Sequence, residues 1–262
     1  MAAFSVVNNI ASVNAQANLQ SSNLGLQKSL NRLSSGFRIN YSGDDAAGLA
    51  VANGYRSDIA NLTQGIQNAN DGLSTLQIAD GALNNVSTLL DRLTTLASQS
   101  ASSNFSGDRD AMDAEFQSVI SEITREAGVA GLGGSGVSFS VYVGTSSLTG
   151  TIAAADATGL GLTGDITTAA TAATAVATVK TAVTTLGSVQ SSVGSLENTL
   201  QYAISLAQSQ VVNNKAAESR IRDANVAEES ANMTRYNILT QSGIAALAQA
   251  NQSTGAVLAL LR

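Results

Sequence analysis

Three residue patterns in this chain could support chemistry, and each lacks the surroundings that chemistry needs. Asp44-Asp45 and Glu228-Glu229 are adjacent carboxylates of the kind that share a proton or hold a cation. The chain has no His and no Cys, so the commonest general base, the thiolate nucleophile and the usual zinc ligands are all missing. Capping of a helix start and a solvated helix face account for these acids more simply. Gly131 to Gly136 and Gly159 to Gly164 both fit G-x-G-x-x-G. A dinucleotide site needs a strand before the loop and a helix opening at it. The first loop is followed by a strand pattern and not a helix, and the second has no acid some twenty residues on. Asn61, Asn85, Asn104, Asn232 and Asn251 head N-x-[ST] triplets, which arise by chance in a chain so rich in Asn, Ser and Thr. The sequence therefore predicts no catalytic residue, no metal and no cofactor.

Charged residues make up only 12% of the chain, about half the usual ~25%. Thirteen scattered Lys and Arg against nineteen acids, a net charge of -6, argue against nucleic acid as a partner. No run of eighteen apolar residues predicts a membrane span, and the amino terminus lacks the charged start of a secretory signal. Pro is absent, so nothing forces a kink in a long helix. Aromatics at 4% are too few for a bulky core, which leaves Ala, Leu and Val to fill thin seams between helices.

The elements that must be positioned are the ends. The first ionisable side chain is Lys28, and no Asp, Glu, Lys or Arg lies between Arg235 and Arg262. Both ends nevertheless carry apolar residues at steps of three and four. Val6, Ile10, Val13 and Ala17 form one series, and Ile244, Leu247, Asn251, Thr254, Leu258 and Leu261 the other. That is a coiled-coil seam, in which Asn251 either trades stability for register or is an ordinary solvent-exposed residue. A helix with a narrow apolar stripe and no charged face is weak alone and calls for neighbours. The ends are predicted to meet and to pack against other copies of the chain.

Between them, Leu62, Ile66, Ala69, Leu73, Leu76, Ala79, Leu83, Val86, Leu90, Leu93 and Ala97 predict one long helix with a stammer at Leu76 to Ala79. Asp44 or Asp45 is its expected cap, and Ser98 to Gly107 its end. A second helix starts near Asp108, with Phe116, Ile120 and Ile123 on one face. Val137 to Val143 alternate as a strand, and Thr151 to Ala154 are its expected hairpin partner beyond a turn-forming Gly144 to Gly150. Residues 155–175 fit no element. A third helix follows through Val179, Val183, Leu186, Val193, Leu196, Leu200 and Ala203 to about Arg220. The predicted fold is mainly α: a long antiparallel coiled-coil bundle with a small β-hairpin in the middle of the chain, its two uncharged ends at one pole.

Leu33-Ser34-Ser35-Gly36-Phe37-Arg38-Ile39-Asn40, followed by Gly43-Asp44-Asp45-Ala46-Ala47-Gly48-Leu49-Ala50, closely resembles the amino-terminal signature of bacterial flagellins, as does Asn68-Ala69-Asn70-Asp71-Gly72-Leu73-Ser74. Ser219 to Asn225, Leu247 to Gln252 and the closing Leu260-Leu261-Arg262 resemble the carboxy-terminal part of the same family. The resemblance covers about residues 1–127 and 176–262.

The resemblance implies a filament subunit with an inner domain of residues 1–43 and 222–262, lining a channel, and an outer rod domain of residues 44–221 whose variable segment is about 128–175. Large outer domains are missing, so a smooth filament is expected. It implies Val6, Ile10, Val13, Ile244, Leu247, Asn251, Leu258 and Leu261 as the filament core seam. Arg92, Leu96 and Gln99, with Glu115 on the adjoining helix, match a surface that packs protofilaments and is bound by Toll-like receptor 5. Leu258, Leu260 and Leu261 match the leucine-rich end read by cytosolic innate sensors. Two departures bear on the receptor: Gly131 to Gly134 replace the family's Phe-Asn-Gly segment, and Thr95 stands where many members carry an acid. The implied partners are other copies of the chain, an export chaperone and the flagellar export apparatus, and hook-associated and cap proteins. The implied location is extracellular, reached without a cleaved signal. The alternative within the family's relations is a hook-filament junction protein, which the Asn-Asp-Gly stretch and the Leu-Leu-Arg terminus disfavour.

Overall fold

A computed structural model describes residues 9–144 and 146–260, with side chains as far as residue 252. Among the described residues the chain forms five helices and one hairpin. In order they are α1 (Ile10–Ser35), α2 (Ala46–Ala101), α3 (Arg109–Val129), β1 (Val137–Val143), β2 (Ser146–Ile152), α4 (Ala169–Arg222) and α5 (Val226–Leu260). They belong to two compact units, one of residues up to Ser57 with Asn214 onward, the other of Asp58–Asn213. The division falls inside α2 and α4, whereas the resemblance placed it in the loops near residues 43 and 222.

The second unit is built on two unbroken heptad seams. Along α2 from Leu62 the buried positions 62, 65, 69, 72, 76, 79, 83, 86, 90, 93, 97 and 100 follow steps of three and four, with Leu96 buried beside Ala97. The stammer read from the sequence is therefore absent. Seam positions 65 and 72 are glycines, which show no apolar side chain to count, while Ile66 and Leu73 are only half-buried. The glycines admit the hairpin. A Cβ at Gly72 would stand 2.7 Å from Val141 Cγ2, and one at Gly65 would overlap the backbone nitrogen of Gly144. On α4 the seam runs through Ala172, Ala175, Val179, Ala182, Leu186, Val189, Val193 and Leu200. Val183, expected in it, is instead 42% exposed, because Ala182 takes the inward position.

Side chains cap the helices as the physics of unpaired terminal N–H groups requires. Asp108 Oδ1 accepts from the N–H groups of Asp110 and Ala111 and starts α3. Asp45 Oδ1 accepts from the Gly48 N–H at 2.8 Å at the start of α2. Asp44 instead pairs with Lys28 Nζ at 2.8 Å.

The hairpin is longer than its sequence suggested. Val143 already pairs with Ser146 and Val137 with Ile152, so residues 146–150 are strand and not turn. Their Ser, Thr and Gly read as turn formers, and the inward alternation rests on Leu148, Gly150 and Ile152 alone. The segment that fitted no element is packed down. Leu160, Leu162 and Ile166 join the core. Asp156 accepts from the N–H groups of Gly134 and Gly159. Ile166 is held at both backbone atoms, donating to Asp113 Oδ1 at 2.9 Å and accepting from the buried Ser100 hydroxyl at 2.6 Å.

Two outcomes follow. Gly65→Ala is expected to destabilise the chain by about 1–3 kcal/mol through overpacking against the hairpin. Gly81→Ala, on an open helical position with nothing within 4 Å, is expected to stabilise it by about 0.5–1 kcal/mol. Urea unfolding of both variants decides this. The second outcome concerns pH. Lys28, with the Asn40 and Tyr41 N–H groups adding to its effect, holds the Asp44 carboxyl below its ordinary 3.8. A depressed carboxyl stabilises the fold above the unfolded value and loses that share as pH falls through the folded one. Lys28→Gln is therefore expected to lower stability at pH 7, with the gap to the parent chain narrowing as pH drops below 3.8. Urea midpoints across that range measure it.

Candidate assembly interface

In the first unit α1 and α5 lie antiparallel and touch through a mixture of small, polar and larger apolar residues. The inward positions of α1 are Ser12, Ala15, Leu19, Ser22, Leu26, Ser29 and Leu33, again at steps of three and four, and all but Ser29 are only half-buried. On α5 they are Glu229, Met233, Tyr236, Thr240, Gly243, Leu247 and Ala250. The period matches the sequence reading, but the face does not. Ile10 is 65% exposed, Val13 63% and Ile244 56%, so these three point away from the seam within the chain. Leu247 is half-buried on the inward face, and Asn251 accepts from the Ser12 hydroxyl at 3.0 Å. Val6 and Leu261 lie outside the described residues. Leu258 and Leu260 fall in α5, with side chains outside the described ones.

Ile10, Val13 and Ile244 thus face outward, while Leu19, Leu26, Leu33, Met233, Tyr236 and Leu247 share the inward faces with small and polar residues and are only half-buried. An isolated pair of this kind buries little apolar area, and ~25 cal/mol per Å² over a thin seam offsets little chain entropy. An open groove along the pair is lined by Ala15, Leu19, Tyr236, Leu239 and Ala246. Asn14, Asn18, Ser22 and Ser242 line it as well, and its open, elongated form suits helix packing better than a small molecule.

The pair is tied at one end by its loops. Gly36 takes the left-handed conformation, φ 75°, and closes α1 with its N–H on Arg32 O. Phe37 and Asp223 then form an antiparallel bridge. Arg38 donates from its backbone N–H to Arg222 O at 2.6 Å and from its guanidinium to Ile221 O. The Arg222 guanidinium stacks 4.1 Å above the Phe37 ring. Below this tie Arg32 Nη1 meets Glu229 Oε1 at 2.9 Å with side chains 22% and 9% exposed. Gly36, Phe37, Arg38, Arg222 and Asp223 lie in the segments that carried the resemblance and Glu229 in an acid pair, but the sequence assigns none of them a tying role; the seven-residue spacing of Glu229, Tyr236 and Gly243 is the signal that marks three of the contacts.

In the second unit Arg92 and Glu115 are brought together as expected, with Arg92 Nε 2.9 Å from the carboxylate. Gln99 is exposed on the same face of α2. Leu96 is not part of that surface: it is 3% exposed and belongs to the core. It lies roughly 40° round the helix from Arg92, toward the buried seam of Leu93 and Ala97, and that rotation decides its side. Among the described residues no group of three or more His, Cys, Asp or Glu could hold a metal ion, and no helix is long and apolar enough to cross a membrane.

Comparison with known proteins gives the same answer at both ends. The model of the bacterial flagellin N-terminal helical region matches residues 6–135, and that of the C-terminal helical region matches residues 176–261. A flagellin of Halalkalibacterium halodurans is 36% identical over 97% of this chain and 98% of its own. The flagellar filament 33 kDa core protein of Treponema phagedenis is 35% identical over the same shares. A crystal structure of Bacillus cereus flagellin overlaps 58% of this chain and 94% of its own at 28% identity, with a TM-score of 0.47. Helical arms matched over most of their length, and relatives matched from end to end, establish that this chain belongs to the bacterial flagellin family.

Proposed function

We propose that the chain is the repeating subunit of an extracellular flagellar filament, polymerising through α1 and α5 into the wall of a hollow tube. The observation that carries this reading is the outward apolar stripe of Ile10, Val13 and Ile244 on a helix pair whose inward residues, Ser29 and Glu229 apart, are only half-buried. A chain that cannot bury enough apolar surface by itself gains order when neighbours supply it. End-to-end likeness to a flagellin and to a filament core protein favours this over a junction protein. Before assembly the same surface needs shielding, which fits an export chaperone on the carboxy-terminal helices and delivery through the flagellar export apparatus. Hook-associated and cap proteins then stand at the filament's two ends. Leu258, Leu260 and Leu261 are assigned first to the filament core and second to recognition by cytosolic sensors.

A second role, as a ligand of Toll-like receptor 5, draws on the exposed Arg92, Glu115 and Gln99. The Arg92–Glu115 pair is exposed on both sides, 51% and 45%, so it adds only about 0–1 kcal/mol to the fold. It is therefore free to serve a contact with protofilament or receptor.

One experiment separates the roles. Ile244→Asp is expected to stop elongation of filament seeds, because a charge on the outward stripe must be desolvated at the contact. It is expected to leave receptor activation by the soluble chain unchanged. Arg92→Ala is expected to lower that activation about tenfold, the loss of one charged hot-spot contact. Elongation by Ile244→Asp at the parent rate would contradict the assembly reading, and parent-level activation by Arg92→Ala the receptor reading.

A further inference from the structure

Contacts between α1 and α5 recur at about one per heptad: an ion pair, two large side chains seated on glycines from opposite helices, and a hydrogen bond. Arg32 and Glu229 form the ion pair already described. Seven residues on along α5, the ring of Tyr236 fills the space over Gly25, where a Cβ would stand 2.6 Å from the ring carbons. Seven further, Gly243 receives Leu19, whose Cδ1 would be 3.2 Å from a Cβ. Near the far end Ser12 donates to Asn251. The partners 32, 25, 19 and 12 descend along α1 as 229, 236, 243 and 251 ascend along α5.

In most coiled coils a slip of one heptad, roughly 10 Å, keeps the apolar pattern and is cheap. Here it is not. A slip one way sets the Glu229 carboxylate over Gly25 and the Tyr236 ring on Leu19. The other way it sets the ring on Arg32 and leaves two glycines, 25 and 243, facing each other over a void. Either way Arg32 and Glu229 part, and a nearly buried charge is left without its partner.

We propose that this ladder of unlike contacts fixes the register of α1 against α5, with Gly25 and Tyr236 as its specificity-determining pair. Register matters because Val13 and Ile244 sit on different helices of one outward surface. A slipped pair would displace them by a heptad and present a surface that no neighbour fits. The inference rests on the assembly reading for its purpose, but the alignment is measurable without it.

The absence of Cys makes disulfide trapping clean. In the full-length chain, Ser22→Cys with Thr240→Cys reports the aligned register, and Ser22→Cys with Leu247→Cys the slipped one. Both are oxidised mildly, in solution and after seeding, and read by non-reducing gels and peptide mass. The aligned link is expected to exceed the slipped one by more than about tenfold, the ratio that a single misplaced core contact sets. Adding Gly25→Leu is expected to collapse that ratio or abolish the aligned link, and Tyr236→Ala on top of it to bring the aligned link back. Equal links in the parent chain, an unchanged ratio with Gly25→Leu, or no recovery in the combined variant each overturn the proposal. Failure to elongate seeds with the aligned link intact would overturn the filament reading and leave the register lock standing.

Discussion

Everything in this chain depends on helices that meet through seams one or two side chains wide. With so few aromatics, no single residue contributes a large buried area, and stability is the sum of many Ala, Leu and Val contacts repeated every three and four positions. Such a seam tolerates little irregularity in step. The α2 and α4 seams of the second unit have none over the stretches described. Where a strand has to approach, the seam residue shrinks to glycine and the helix itself does not deviate.

The two units apply this rule with opposite results. In the second, Leu83, Val86, Leu90 and Leu93 are shut away, and the hairpin with residues 153–168 adds Val141, Leu160 and Ile166 to one continuous core. In the first, serine, alanine and glycine share the inward positions with Leu19, Leu26, Leu33, Met233, Tyr236 and Leu247, nearly all only half-buried, while Ile10, Val13 and Ile244 are left outside. Its internal contacts are specific more than strong: a bridge at Phe37, a guanidinium on a ring, a nearly buried ion pair, an aromatic on a glycine. A helix pair so built knows its alignment before it has much stability. That is a useful condition for a subunit which must be kept soluble first and assembled afterwards.

The long helices and their order were legible because a period of three and four over many turns has no competing explanation, and the first strand of the hairpin by its alternation. Faces were less legible than periods. Gly65 and Gly72 hid the true α2 seam, since a seam read from apolar letters cannot see a residue whose contribution is the lack of a side chain. Ile10 and Val13 were assigned to the right helix, but their partners are not its intramolecular neighbour, and one sequence does not say which of two adjacent stripes faces inward. Leu96 illustrates the same limit, because heptad spacing from Arg92 leaves a rotation of a few tens of degrees undecided. Residues 153–168 escaped altogether: they are fixed by Ser100, Asp113 and Asp156 through backbone hydrogen bonds that carry no periodic signature.

The central claim is that α1 and α5 gain their stability from neighbouring copies while α2 and α4 hold theirs alone. Amide hydrogen exchange on the full-length chain, soluble and then polymerised on seeds, tests it most directly. The account predicts fast exchange along α1 and α5 in the soluble chain, slowed by orders of magnitude in the polymer, with residues 83–100 and 179–200 protected in both. Equal and strong protection of α1 and α5 before and after assembly would contradict it.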